Sequence, residues 1–278
     1  MNDNLSDDLS DDLSDDDFFV EDFEEYTVDK WHNIFNNHKI IDIHNNVYKC
    51  YRDFILIEFS KLEIFYFLRN KTFPISMIKK LEPILDGKEY FFKLSNRSPK
   101  DILEFNSIYE IDDDDHRTIK LQKKLKQLEV LKVSKINQIE YLLNNSRRTK
   151  EDIIAFSKYN GNTKLYLVFQ EWKPNLGISV EYRCYVNKSK LIGISLFKPE
   201  YYSTRTVMPV EIIQHYTNQI IPIFDKLNLN RYILDLFIYY DKPFQVQFME
   251  INPFMSEAHT FSFEWDDINN TDTLLVTL

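Results

Sequence analysis

The second half of the chain alternates apolar and polar positions in the manner of β-strands. After Gly161, runs rich in Tyr, Phe, Val and Ile predict five strands. Short polar turn segments separate the second strand from the third and the fourth from the fifth, so the last four strands are predicted to form two hairpins. The predicted strands cover residues 164–170, 178–186, 190–196, 232–240 and 244–252.

Helical spacing appears between the two hairpins and again upstream of the strands. Apolar residues at three- and four-residue steps predict a helix over 210–227. Residues 100–160 contain neither Gly nor Pro, and their leucines and isoleucines recur at similar steps, which predicts one or two helices. Residues 31–73 mix short apolar runs with polar positions and do not divide clearly into strand and helix. The fold class is therefore predicted to be α+β.

The composition narrows the class of protein. The chain has 278 residues, 44% of them hydrophobic, which is enough for one large core or two small ones. Neither GxGxxG nor GxxxxGK[ST] occurs, so a glycine-rich phosphate loop of either kind is not expected. The pattern lacks a signal peptide and a membrane span, which predicts a soluble, cytoplasmic protein with no membrane contact. Cys50 and Cys184 lie far apart, as expected of reduced thiols.

The net charge of −10 belongs to the first 25 residues, which hold 12 acids and no Lys or Arg. Residues 26–278 carry 32 acids against 34 bases and are close to neutral. Leu-Ser-Asp-Asp occurs three times between Leu5 and Asp16, a repeat too charged to bury a face. We therefore predict a disordered acidic tail over 1–25 and one folded domain over 26–278. The tail is either a solubilising leader or an acidic interaction segment, with Ser6, Ser10 and Ser14 as candidate phosphorylation sites.

Charged residues occur where the predicted strands should be apolar. Side chains alternate along a strand, so Glu181 and Arg183 share one face and Cys184 lies on the other. Three oxygen-bearing side chains are expected to converge in the last hairpin: Asp235, Glu250 and Asn252. Carboxylates inside a sheet are costly unless they are paired or coordinated, and Mg²⁺ beside a nucleotide triphosphate would supply the reason. A solvent-facing hairpin whose acids only keep the edge soluble is the alternative.

A second candidate site lies in the segment FFKLSNRSPKD, residues 91–101. Lys93 follows two aromatic residues at the end of an apparently buried strand, where an ammonium group seeks an anion such as phosphate. Ser98 and Pro99 have the types expected at the N-cap and first position of a helix. Helix capping by Ser98 and Pro99 does not explain the presence of Lys93 and Arg97 in this segment.

Taken together, several segments in one order resemble the Cdc123 (D123) family over residues 31–267. The matching segments are FFKLSNRSPKDI (91–102), YLLNNSRRTKED (141–152), LVFQEWKP (167–174), VEYRCYV (180–186), KLIGIS (190–195), ILDLFIYY (233–240), FMEINPF (248–254) and FSFEWDD (261–267). Any one of these segments alone would be a weak signal.

This resemblance implies an ATP-grasp-like fold, with two β-rich lobes and helices around a nucleotide cleft that holds ATP and Mg²⁺. It also implies an assembly chaperone for translation initiation factor eIF2 that binds the γ subunit. Carried over by position, Lys93 would contact phosphate, and Gln170, Glu171, Trp172 and Lys173 would form the hinge whose backbone meets adenine. Glu181 and Arg183 would line the pocket, and Asp235, Glu250 and Asn252 would ligate Mg²⁺.

Other functions stay open at this level. An ATP-grasp ligase or kinase would use the same pocket on a small-molecule or protein acceptor. A nucleic-acid binder built on the lysine-rich stretch 120–135 is disfavoured by the near-neutral domain, so the expected partner is protein and the expected state a monomer. Trp31 and Phe35 are either an exposed aromatic anchor for that partner or part of the core.

Overall fold

A computed structural model describes residues 26–35, 38–51, 53–102, 128–173, 180–196, 210–238, 245–255, 262–271 and 273–277. The helices are α1 (Val28–Phe35), α2 (Lys61–Asn70), α3 (Ile75–Leu85), α4 (Ile136–Asn145), α5 (Arg147–Lys158), α6 (Val210–Phe224) and α7 (Trp265–Asn270). The strands are β1 (Lys39–Ile41), β2 (Val47–Lys49), β3 (Ile55–Phe59), β4 (Tyr90–Leu94), β5 (Lys132–Val133), β6 (Leu165–Glu171), β7 (Val180–Asn187), β8 (Lys190–Leu196), β9 (Arg231–Ile238), β10 (Val246–Pro253) and β11 (Leu275–Thr277).

The larger sheet has five strands in the order β10-β9-β7-β8-β11. Its centre consists of the two predicted hairpins, since β7 pairs antiparallel with β8 and β9 with β10. The apolar side chains of one face pack against α6, including Tyr182, Cys184 and Leu234, with Tyr216 of α6 fully buried among them. The opposite face carries a smaller apolar cluster around Tyr185. Both faces of the central strands are therefore at least partly covered.

A second, four-stranded sheet has the order β3-β6-β4-β5 and packs with helices α2 to α5. The predicted helical run 100–160 resolves, within its described part, into the short strand β5 and the two helices α4 and α5. The break falls at Ser146, which has an extended backbone and caps α5 through its side chain, because Oγ accepts a hydrogen bond from the Thr149 backbone N–H. The α+β class and the two β-rich lobes are confirmed.

The burial of α1 contradicts the idea of an exposed aromatic anchor. Trp31 is 1% exposed and Phe35 is fully buried. The Trp31 ring lies 4.8 Å from the ring of Phe248, and the Phe35 ring lies 4.6 Å from that of Phe224. Both side chains therefore belong to the core beneath the five-stranded sheet, because burying these large rings stabilises the fold.

The helix over 210–227 ends at Phe224, where a short 3-10 turn follows. The expected helix after Ser98 begins as a single turn at 100–102, and its continuation lies outside the described residues, as does the acidic tail. Both cysteines are buried free thiols. Among the described residues, no helix combines the length and apolar character needed to cross a membrane.

Candidate functional site

The register of the five-stranded sheet places three charged residues side by side. Arg183 on β7 lies opposite Asp235 on β9, and Asp235 lies opposite Glu250 on β10. A β-bulge between Phe248 and Glu250 makes this possible. In a regular strand these two residues would share a face, but the extra residue lets Phe248 enter the core while Glu250 joins the charged row. The bulge therefore builds the site.

Asp235 is held from two sides. Arg183 donates through Nε to Oδ1 at 2.8 Å and through Nη2 to Oδ2 at 2.7 Å, a two-pronged ion pair. The Asn252 side chain donates Nδ2 to Asp235 Oδ2 at 2.9 Å, which turns its carbonyl oxygen away from Asp235. The Arg183 and Asp235 side chains are only 11% and 15% exposed. The pair is therefore largely removed from water.

The electrostatics of this pair favour a charged guanidinium. Burial lowers the pKa of Arg183, but the Asp235 carboxylate outweighs it, and the net pKa is raised. Burial raises the pKa of Asp235, Arg183 opposes the rise, and the nearby carboxylates of Glu250 and Glu181 add to it. A further cation beside these three acids would relieve their mutual repulsion.

Lys93 connects the two sheets. Its strand, β4, is buried between β6 and β5 in the four-stranded sheet, and its side chain reaches Glu250 with an Nζ–Oε2 distance of 2.5 Å. The side chain of Lys93 is 9% exposed and that of Glu250 is 30% exposed. Burial raises the pKa of Glu250, but the positive charges of Lys93 and Lys100 hold it well below its ordinary value. Glu250 is therefore ionised between two lysines.

The segment 170–173 begins in the last two residues of β6, where Gln170 is the register partner of Phe91 on β4, whereas Lys93 is opposite Val168. The Trp172 backbone N–H donates to Glu89 O at 2.9 Å, and the Lys132 Nζ lies 5.7 Å from the centre of the Trp172 ring. That backbone N–H is engaged within the protein and is not available to a ligand.

The structure thus brings together most of the residues that the sequence suggested. Direct contacts join Lys93 to Glu250, and Arg183 and Asn252 to Asp235, while Glu181 acts on Asp235 through its charge. No cluster of three or more His, Cys, Asp or Glu residues suited to a metal exists in the described part of the chain. The candidate oxygen donors are two carboxylates and one amide, which is compatible with Mg²⁺ when phosphate and water complete its shell.

Sequence reasoning missed the role of Arg97. Its Nε and Nη2 donate to Asp152 Oδ1 at 2.9 and 2.6 Å, and Nη2 also donates to Arg148 O at 2.9 Å. Asp152 lies on the buried face of α5, a position that helical spacing places beside Thr149 and Ile153. An acid at a core position of a helix is the signal that a buried cation lies nearby.

Comparison with known proteins places this chain in a family. The D123 family model matches residues 122–275, just over half of the chain. The chain belongs to the D123 family. The fold agrees, since Cdc123 from Schizosaccharomyces pombe superposes with a TM-score of 0.61 at 18% identity, covering 93% of this chain and 97% of that one. A C-terminally truncated form of the same yeast protein gives a TM-score of 0.64 at 18% identity and the same coverage.

A sequence relative with an assigned role is found in Dictyostelium discoideum. This protein, named translation initiation factor eIF2 assembly protein, is 26% identical over 208 residues, which cover 71% of this chain and 47% of the relative. The chain therefore spans about half the length of the curated relative that it matches.

Proposed function

We propose that this protein is an assembly chaperone for eIF2, which binds the γ subunit and uses a bound Mg-ATP as part of its structure. The observation that carries the nucleotide part is the row Arg183, Asp235 and Glu250 with Lys93 facing it from the second sheet. The eIF2 part is supported by membership of the D123 family and by the name of the Dictyostelium relative. The protein would act as a monomer in the cytoplasm, at the cleft of an ATP-grasp-like fold.

Each residue of the row has a role suited to its chemistry. Asp235, Glu250 and the carbonyl oxygen of Asn252 would hold Mg²⁺, which neutralises phosphate charge when bound. Lys93 and Arg183 now balance the two carboxylates, and in the complex they would also face phosphate oxygens. The metal and the phosphates would thus bind to a cluster that already contains positively and negatively charged side chains. Glu181 and the segment 170–173 would line the rest of the pocket.

A covalent intermediate on Cys184 is disfavoured by the position of this residue. Cys184 is adjacent to Arg183 in sequence, but it lies on the opposite face of β7 and is fully buried. Burial raises the pKa of its thiol, so it is neutral at physiological pH and cannot attack a nucleotide. A ligase or kinase acting on an external acceptor remains the second candidate, because it would use the same Mg-ATP site.

The test is co-purification with recombinant eIF2γ, with and without Mg-ATP, combined with an assay of ATP consumption. We expect stoichiometric association that survives nuclease treatment, with slow or absent ATP turnover. Failure to associate under any nucleotide condition, together with rapid ATP turnover on an added acceptor, would assign the protein to the enzyme class instead.

A further inference from the structure

The loop that follows β4 carries a polar network that the proposed nucleotide site does not use directly. The loop turns sharply, since the Leu94 backbone N–H donates to Arg97 O at 3.0 Å, while the Ser95 N–H donates to Tyr166 O at 2.9 Å. Lys93 lies immediately before the turn and Lys100 shortly after it. The conformation of this loop therefore sets the position of Lys100 and fixes the end of β4, on which Lys93 lies.

Arg97 ties one side of the loop to α5. Its guanidinium makes two hydrogen bonds to Asp152 Oδ1 and one to Arg148 O, and a longer contact of 3.3 Å to Glu151. Asp152 is fully buried, so its charge needs a cation that is hydrogen-bonded to it. Arg97, on the loop, is that cation.

Asp101 ties the other side of the loop to the same helix. Ser146 Oγ donates to Asp101 Oδ1 at 2.6 Å, and the Arg148 backbone N–H donates to Asp101 Oδ2 at 3.2 Å. Ser146 Oγ also accepts from the Thr149 N–H, so the N-cap of α5 and the loop share one buried network. Asp101 is 6% exposed and Ser146 is fully buried. The loop thus supplies a cation, Arg97, for one contact with α5 and an acid, Asp101, for the other.

Between these two ties lies the exposed side chain of Lys100, and Lys93, directly before the loop, contacts Glu250 with an Nζ–Oε2 distance of 2.5 Å. We propose that Arg97 and Asp101 are positioning residues of the phosphate site, which fix the loop so that Lys93 and Lys100 face Glu250 and the phosphates beside it. They contact no nucleotide themselves. This inference rests on the proposed Mg-ATP site.

If Arg97 and Asp101 had only a structural role, substituting them would weaken the binding of AMP and ATP equally. If they position the lysines, substituting them would weaken the binding of the β and γ phosphates. The decisive quantity is the ratio of the Kd for AMP to the Kd for ATP, measured by calorimetry with Mg²⁺ on the full chain. Arg97→Gln should reduce this ratio about tenfold, because the lysines meet the β and γ phosphates that AMP lacks. Arg97→Lys should not restore it, since an ammonium group lacks the two-pronged geometry of the guanidinium.

Arg147→Gln is the matched control, because Arg147 pairs with Glu151 on the exposed side of the same helix. Asp101→Asn provides a second variant if Arg97→Gln does not fold, and it should also lower the ratio. If wild type binds neither nucleotide, the proposed site fails and this inference with it. If wild type binds ATP while the folded variants keep the wild-type ratio, or Arg147→Gln lowers it equally, only the positioning role is overturned.

Discussion

Replacing Asp235 by Asn tests whether the charged row is a paired structure inside the sheet. The amide has nearly the same shape as the carboxylate, so packing is preserved while the charge is lost. Arg183 would then be left with a guanidinium that is 11% exposed and has lost the anion on which two hydrogen bonds converge. The cost of the substitution is the free energy of leaving this largely desolvated charge without its partner.

The expected loss can be bounded from the geometry. Breaking one side of a buried ion pair costs about 3–5 kcal/mol, and the residual exposure of both partners places this pair near ~3 kcal/mol. For a chain of this size, that loss lowers the thermal midpoint by about 6–12 °C. The double substitution Arg183→Met with Asp235→Leu should lose less than Asp235→Leu alone, since no buried charge then lacks a partner.

Urea unfolding followed by circular dichroism measures these free energies, with Asp53→Asn as the control. Asp53 pairs with Lys49 on the surface, where the side chains are 65% and 46% exposed, so its loss should cost less than about 1 kcal/mol. A cost for Asp235→Asn as small as that of Asp53→Asn would refute the account of a desolvated pair. A double substitution as damaging as the sum of the single ones would refute the coupling.

Trp31→Ala should cost about 3–5 kcal/mol of unfolding free energy in a urea titration, because the ring is in the core. Burial raises the pKa of Asp152 to about 6, although Arg97 opposes the rise. The stability that this raised pKa contributes is fully present below pH 3.8 and is lost as the pH rises through 6. In urea titrations across this range, the stability of wild type should therefore fall relative to that of Asp152→Asn as the pH rises. Cys50 and Cys184 should not react with a thiol reagent until the protein unfolds, since both are buried. Deleting residues 1–25 should change the melting temperature by less than about 5 °C, because the segment holds 12 acids and its aromatic residues begin only at Phe18.

The sequence predicted the parts of the fold that local patterns determine. The two hairpins and α6 follow from alternation and helical spacing, and the separation of Arg183 from Cys184 follows from the two faces of a strand. The convergence of Asp235 and Glu250 could be expected from hairpin pairing. Its mechanism could not, because the bulge after Phe248 depends on which side chain the core accepts.

Local sequence patterns could not predict the contacts between segments that are far apart in the chain. Nothing near Arg97 indicates a partner 55 positions away, and the choice between core and surface for Trp31 is decided by α1 packing under a sheet that forms much later in the chain. The prediction that Lys93 is a buried cation that needs an anion is confirmed. The anion that it meets within the protein is Glu250, from the other sheet.

Calorimetric titration of ATP into wild type and folded Asp235→Ala tests most directly whether the row of Arg183, Asp235 and Glu250 binds Mg-ATP. With Mg²⁺, we expect Asp235→Ala to lose about 2–3 kcal/mol of binding free energy. With the metal chelated, its affinity should not fall, because Arg183 is freed for phosphate. Equal magnesium-dependent affinity in both proteins, or no binding by wild type, would contradict the account.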